Sequence, residues 1–112
     1  MLSQLDIVRI GMSHVRDGGS ITLTTGVLAR EPIATGAAAA VANGAIEAFV
    51  MAAAAELPRG LRINAVSPTV LEEAESYHEA FPGFIPVPAK VVGQAFRKSV
   101  EGVQTGRIFE VG

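Results

Sequence analysis

The chain has 112 residues, 49% hydrophobic and 18% charged, with a formal net charge of −2 and no cysteine. That balance excludes a disordered polar chain, and the length predicts one domain without a second. No basic run exceeds Arg97-Lys98, which argues against nucleic acid as a partner, and without cysteine there is no disulfide, thiolate metal site or thiol nucleophile.

The start, Met1-Leu-Ser-Gln-Leu-Asp6, lacks the basic and apolar regions of a secretory signal, so a cytoplasmic location is expected. Much of the hydrophobic fraction is alanine, beside five Phe, one Tyr and no Trp. Small side chains predict close approach of helices to sheet rather than a bulky core. So apolar a short chain also predicts surface covered by a partner.

Apolar residues Leu2, Leu5, Val8, Met12 and Val15 recur every three or four positions, which predicts a helix over 1–16. Asp17-Gly-Gly19 ends it. Ser20–Thr25 alternates and is β-branched, hence a strand. Residues 26–35 carry Gly, Pro and charges and predict a loop. A long helix follows over 36–57, where Thr35, Asn43 and Glu47 are the only polar side chains between Ala34 and Ala55. Its length would suit a membrane span, but Asn43 and Glu47 would be costly in lipid. A helix buried on both sides is expected instead, and no membrane.

Pro58-Arg-Gly60 predicts a turn, and Leu61–Val66 a second strand. Beyond Ser67-Pro68, residues 71–79 suggest a short mobile helix, and 81–86 a loop with two exposed aromatics. Pro88 suits the first turn of a helix that Val91, Val92, Ala95, Phe96, Ser99 and Val100 continue to Gly102. Arg107–Val111 is the last strand. Strands separated by helices imply right-handed crossovers and an α/β fold with a parallel sheet of three strands. Ligands bind at the carboxyl edge of such a sheet.

Three segments carry a family resemblance. Glu56-Leu-Pro-Arg-Gly-Leu-Arg-Ile-Asn-Ala-Val-Ser-Pro68 resembles the E-L-x-x-x-G-I-R-V-N-A-V-S-P-G segment of short-chain dehydrogenases/reductases. Asp17-Gly-Gly-Ser-Ile-Thr-Leu-Thr-Thr25 is similar to their G-G-x-I-V-N-I-S-S strand, and Glu101-Gly-Val-Gln-Thr-Gly106 to their closing x-G-x-x-T-G. The wording L-T-T-G and A-N-G-A suggests a compact bacterial branch. The resemblance implies the C-terminal part of a Rossmann-like sheet and an NAD- or NADP-dependent oxidoreductase ancestry.

It also implies losses. The family binds its dinucleotide through a glycine-rich turn after a first strand; the only glycine pair here, Gly18-Gly19, precedes a strand. The cofactor half is therefore expected to be missing, and this chain alone is not expected to bind NAD or NADP. The family's Ser, Tyr and Lys fall on Thr25 (or Gly26), Ala39 and Asn43. A methyl group exchanges no proton, so no catalytic residue is assigned and inactivity is expected.

Weaker candidates for contacting a cofactor are Thr25, Asn43, Pro68, Thr69 and Val70. Thr69 stands where the family has glycine. Thr24 and Thr25 are equally explained as strand residues, and Asn43 by a bond to a neighbouring carbonyl. Tyr77, the sole tyrosine, suggests a loop or lid residue. His14 and His78 stand alone, so no metal site is expected. Glu72, Glu73 and Glu75 suggest a solvated cluster. The resemblance implies self-association through helices 1–16 and 36–57, and a strand edge at 20–25 left open to pairing. The alternative function is a non-catalytic self-association or partner-binding module.

Overall fold

Period-two segments and helical segments alternate along the sequence, and the structure follows that alternation. The computed structural model describes residues 2–27, 33 and 36–112. Strands β1 (Ser20–Thr24), β2 (Arg62–Pro68) and β3 (Ile108–Val111) lie side by side in that order among the described residues. Both pairs are parallel, with Ser20 opposite Arg62 and Ala65 opposite Ile108. Helix α1 (Leu2–Gly11) precedes β1, and helices α2 (Ala37–Ala54) and α3 (Ala89–Glu101) lie in the two connections between strands. Of the predicted loop over 26–35, residues 28–32, 34 and 35 lie outside the described residues.

Several boundaries move, each for a local reason. The first helix gives way after Gly11 to a 3₁₀ turn, Met12–His14. Arg59 holds this exit, its guanidinium donating to Met12 O (2.6 Å) and Val15 O (2.9 Å) and pairing with Asp17. Helix α2 closes three residues early, where Ala55 N–H and Glu56 N–H turn back to Ala52 O and Ala53 O before Pro58. Strand β2 instead runs on to Pro68, because Ser67 and Pro68 are in register with Glu110 and Val111. Arg59 and Gly60 have φ of 62° and 69°, so the turn into β2 is left-handed over two residues.

The two faces of the sheet differ in chemistry. One is dry: Leu23, Ile63 and Ala65 pack with Val8 of α1 and Ile46, Val50 and Ala53 of α2. Alanine and valine on α2 let it sit close to the strands. The expectation that α2 is buried all round is corrected, since Val41 and Met51 are exposed on its other side. α2 is apolar and long enough to cross a membrane by composition, yet in this fold it packs on the sheet.

The opposite face is polar and faces α3. Asn64 and Ser99 are fully buried there. Asn64 Nδ2 donates to Ser99 Oγ (3.2 Å) and Gln104 O (2.9 Å), and Asn64 Oδ1 accepts from Arg107 N–H (3.0 Å). Ser99 Oγ also shares a hydrogen bond with Thr22 Oγ1 at 2.6 Å. Arg62 reaches the end of α3, donating to Ser99 O and Val100 O, carbonyls that the helix leaves open. Buried polar groups satisfied this fully fix the position of α3.

The acids before α3 are not merely solvated. Glu73 accepts the Ala89 N–H with both carboxylate oxygens (3.1 and 3.2 Å), supplying from a distant loop the cap that Pro88 lacks. Phe81 and Phe84, expected to be exposed, are half-buried and meet edge to face, 5.4 Å between centroids.

Candidate functional site

The carboxyl ends of β1 and β2 open into a cleft of about 340 Å³. Thr25 follows β1 directly, and its N–H donates to Val66 O at 2.9 Å, so β2 sets its position. Its hydroxyl donates to Glu47 Oε2 of α2 at 2.7 Å. One turn earlier on α2, Asn43 faces Gly26: a Cβ at Gly26 would lie 3.4 Å from Asn43 Nδ2. The Asn43 amide lines the cleft beside it. Pro68, Thr69 and Val70 continue the wall from β2.

The far wall comes from the segment 71–87. Its ends are tied together: Leu71 bridges Val87, Glu72 N–H donates to Val87 O (2.8 Å), and Val87 N–H donates to Val70 O (3.0 Å). A 3₁₀ turn, Glu75–Ala80, occupies the place of the predicted helix. His78 Nε2–H donates to Leu71 O at 2.9 Å, folding that turn back on its own base. This carries Ala74, Tyr77 and Phe81 to the cleft. The described residues hold no cluster of three or more His, Cys, Asp or Glu able to bind a metal.

The structure thus brings together Thr25, Asn43, Pro68, Thr69 and Val70, all singled out from sequence, and adds Tyr77 opposite them. Ala39 is exposed on the first turn of α2 and is not part of the lining. No sequence signal located Tyr77 there, because its placement depends on the Leu71–Val87 closure of a segment without regular periodicity.

Chemically, the lining offers hydroxyls, an amide and aromatic faces, with no charged side chain among the described residues. Thr69 Oγ1 is buried without a hydrogen-bond partner. Such neutral donors and acceptors fit the nicotinamide end of a dinucleotide. The pyrophosphate end has no such fit: Gly18-Gly19 lies at the amino end of β1, away from the cleft, and leads into a strand rather than a helix.

Residues 2–100 match the sequence model of the family described as enoyl-(acyl carrier protein) reductase. Among solved structures, the protein lin1944 from Listeria innocua is 52% identical, over 97% of this chain and 55% of that one, with a TM-score of 0.95. A small-chain dehydrogenase is 30% identical over 98% of this chain and 51% of its own, with a TM-score of 0.81. Another, solved in complex with NADPH, is 25% identical over 99% of this chain and 57% of its own, with a TM-score of 0.84. No curated protein matches. The chain spans about half the length of these solved structures. With the family model covering most of its length and the fold shared throughout, the chain belongs to the short-chain dehydrogenase/reductase family.

Proposed function

We infer that this chain supplies the nicotinamide-side and substrate-side portion of an NAD(P)-dependent oxidoreductase fold, and that alone it catalyses no hydride transfer. The observation that carries this reading is the replacement of the proton-transferring pair. The position of the family tyrosine holds exposed Ala39, and that of its lysine holds Asn43. A phenol with a neighbouring ammonium can deliver a proton near neutral pH; an alanine and an amide cannot. Tyr77 has no lysine beside it in the cleft.

Cofactor contact is proposed at Thr25, Asn43, Pro68, Thr69 and Val70, by analogy with the relative solved with NADPH. When bound, a nicotinamide would supply hydride chemistry; the residues here would orient its carboxamide and exclude water. Tight binding of a whole dinucleotide needs a phosphate-binding turn that these 112 residues do not contain. Titrating the chain with NADPH while recording Tyr77 fluorescence tests this reading. Saturation at micromolar cofactor contradicts it, and millimolar or absent binding agrees with it.

A specific surface favours a second reading, self-association. Ile7 and Ile10 on α1 and Val41 and Met51 on α2 are exposed, beside a groove lined by Leu5, Met12, Phe49 and Leu57. A second copy packing on these helices would cover apolar surface otherwise left in water.

A further inference from the structure

Glu47 places a carboxylate on an otherwise apolar helix. It is half-buried, and its neighbours on the helix, Ile46 and Val50, are buried in the dry face of the sheet. A carboxylate in such a setting is held by hydrogen bonds or not at all. Thr25 supplies one, its Oγ1 donating to Glu47 Oε2 at 2.7 Å. A hydroxyl bound to a carboxylate makes a short hydrogen bond, roughly twice as strong as a neutral one. A carboxylate accepts and does not donate, so the direction of this bond is fixed, and the one hydroxyl proton of Thr25 is committed to it. The Thr25 backbone N–H is committed as well, to Val66 O at 2.9 Å. Thr25 therefore has only acceptor lone pairs left to offer the cleft that it lines. Gly26, next in the chain, adds no side chain to that wall.

We propose that Glu47 is a positioning residue that turns Thr25 into a hydrogen-bond acceptor, so that the cleft takes a ligand by its hydroxyl and disfavours the same ligand in its carbonyl form. This rests on the reading of the cleft as a ligand site, and it names the functional group that the site selects. A ligand hydroxyl can donate to Thr25 Oγ1 and leave the Glu47 bond in place. A carbonyl has no proton to give. Beside Thr25 it would set two acceptor oxygens against each other, or would have to draw the proton from a carboxylate, the stronger acceptor. The other polar side chains of the described lining do not discriminate, since the Asn43 amide and the hydroxyls of Thr69 and Tyr77 both donate and accept. The polarity of the site is thus set from α2, through Thr25. The family resemblance gives position 47 no role; the inference comes from the Thr25–Glu47 contact alone. The same contact bears on chemistry, because a hydroxyl whose proton is held by a carboxylate does not polarise a carbonyl oxygen.

The test uses a matched pair of neutral probes, cyclohexanol and cyclohexanone, titrated by amide-shift NMR into the wild-type chain, Glu47→Met, Thr25→Ser and Thr25→Val. The wild type should bind the alcohol at least about 5-fold more tightly than the ketone, the worth of one hydrogen bond. Glu47→Met frees the Thr25 proton, so the gap should close to within about 2-fold because the ketone gains affinity. Thr25→Ser keeps the hydroxyl and should keep the gap. Thr25→Val should close it from the other side, by weakening the alcohol, and it decides the matter if Glu47→Met does not fold. A loss of packing alone would weaken both probes together and would not move them in opposite senses. Equal binding of the two probes by the wild type, or a gap that survives in Glu47→Met or Thr25→Val, overturns the role of Glu47 and leaves the cleft standing as a ligand site. No shift of the Thr25, Asn43 or Thr69 amides with either probe overturns both.

Discussion

The side chain of Gln4 binds both backbone groups of Thr24: Gln4 Nε2 donates to Thr24 O and Gln4 Oε1 accepts from Thr24 N–H, each at 3.1 Å. Gly19 O and Thr25 N–H point to β2, so by alternation the polar groups of Ser20, Thr22 and Thr24 point to the outer edge of β1. Gln4 therefore closes that edge at Thr24, where the sequence alone predicts it open. Replacing Gln4 by Ala should cost about 1 kcal/mol in urea unfolding. It should also increase self-association in sedimentation experiments, since a freed edge invites strand pairing. An unchanged midpoint and unchanged sedimentation would refute the closure.

Asn64 is the second structural centre. Its amide joins Ser99, Gln104 and Arg107, so it binds α3 and the start of β3 to the middle strand at once. Asn64→Ala leaves a part-buried carbonyl and a part-buried N–H without their partner and empties a fully buried site, and should destabilise the chain by about 2–3 kcal/mol. Ser99→Ala removes one hydrogen-bonding member and should cost about 1–2 kcal/mol. Denaturant titration of the two variants checks the order; Ser99→Ala being the more damaging would contradict this view of the network.

Much of this was legible in the sequence, and the limits have physical causes. Helix and strand periods located all six elements, because burial on one face of a helix or strand leaves a repeat in the residue order. Thr25, Asn43 and Thr69 were found as a set because the family resemblance places its serine, its lysine and its post-strand loop at those positions, and the fold brings all three to one cleft. Tyr77 in the cleft, Glu73 on the Ala89 amide and Gln4 on Thr24 were not legible. Each depends on a contact across 16 or more residues, or on a loop closed by its own backbone, and neither leaves a local pattern. The polar face under α3 was likewise hidden, since Asn64 within Leu61–Val66 does not announce its partners.

The exposed apolar face of α1 and α2 yields a separate prediction. Ile10 is 58% exposed and Met51 57%, so charges there leave the monomer core intact. An Ile10→Glu/Met51→Glu variant should sediment as a monomer at concentrations where the parent chain is a dimer or larger. Its unfolding as an isolated monomer should shift little, by less than about 0.5 kcal/mol. A parent chain that is itself monomeric at micromolar concentration would remove the self-association reading.

Consumption of NADPH by the purified chain, followed at 340 nm with a panel of ketone, aldehyde and enoyl substrates, tests the central claim most directly. With Ala39 and Asn43 in place of the proton-transferring pair, the account predicts no loss of NADPH beyond the rate in buffer alone. Saturable turnover that disappears in Tyr77→Phe would contradict it, because the phenol across the cleft would then be doing the work that Ala39 cannot.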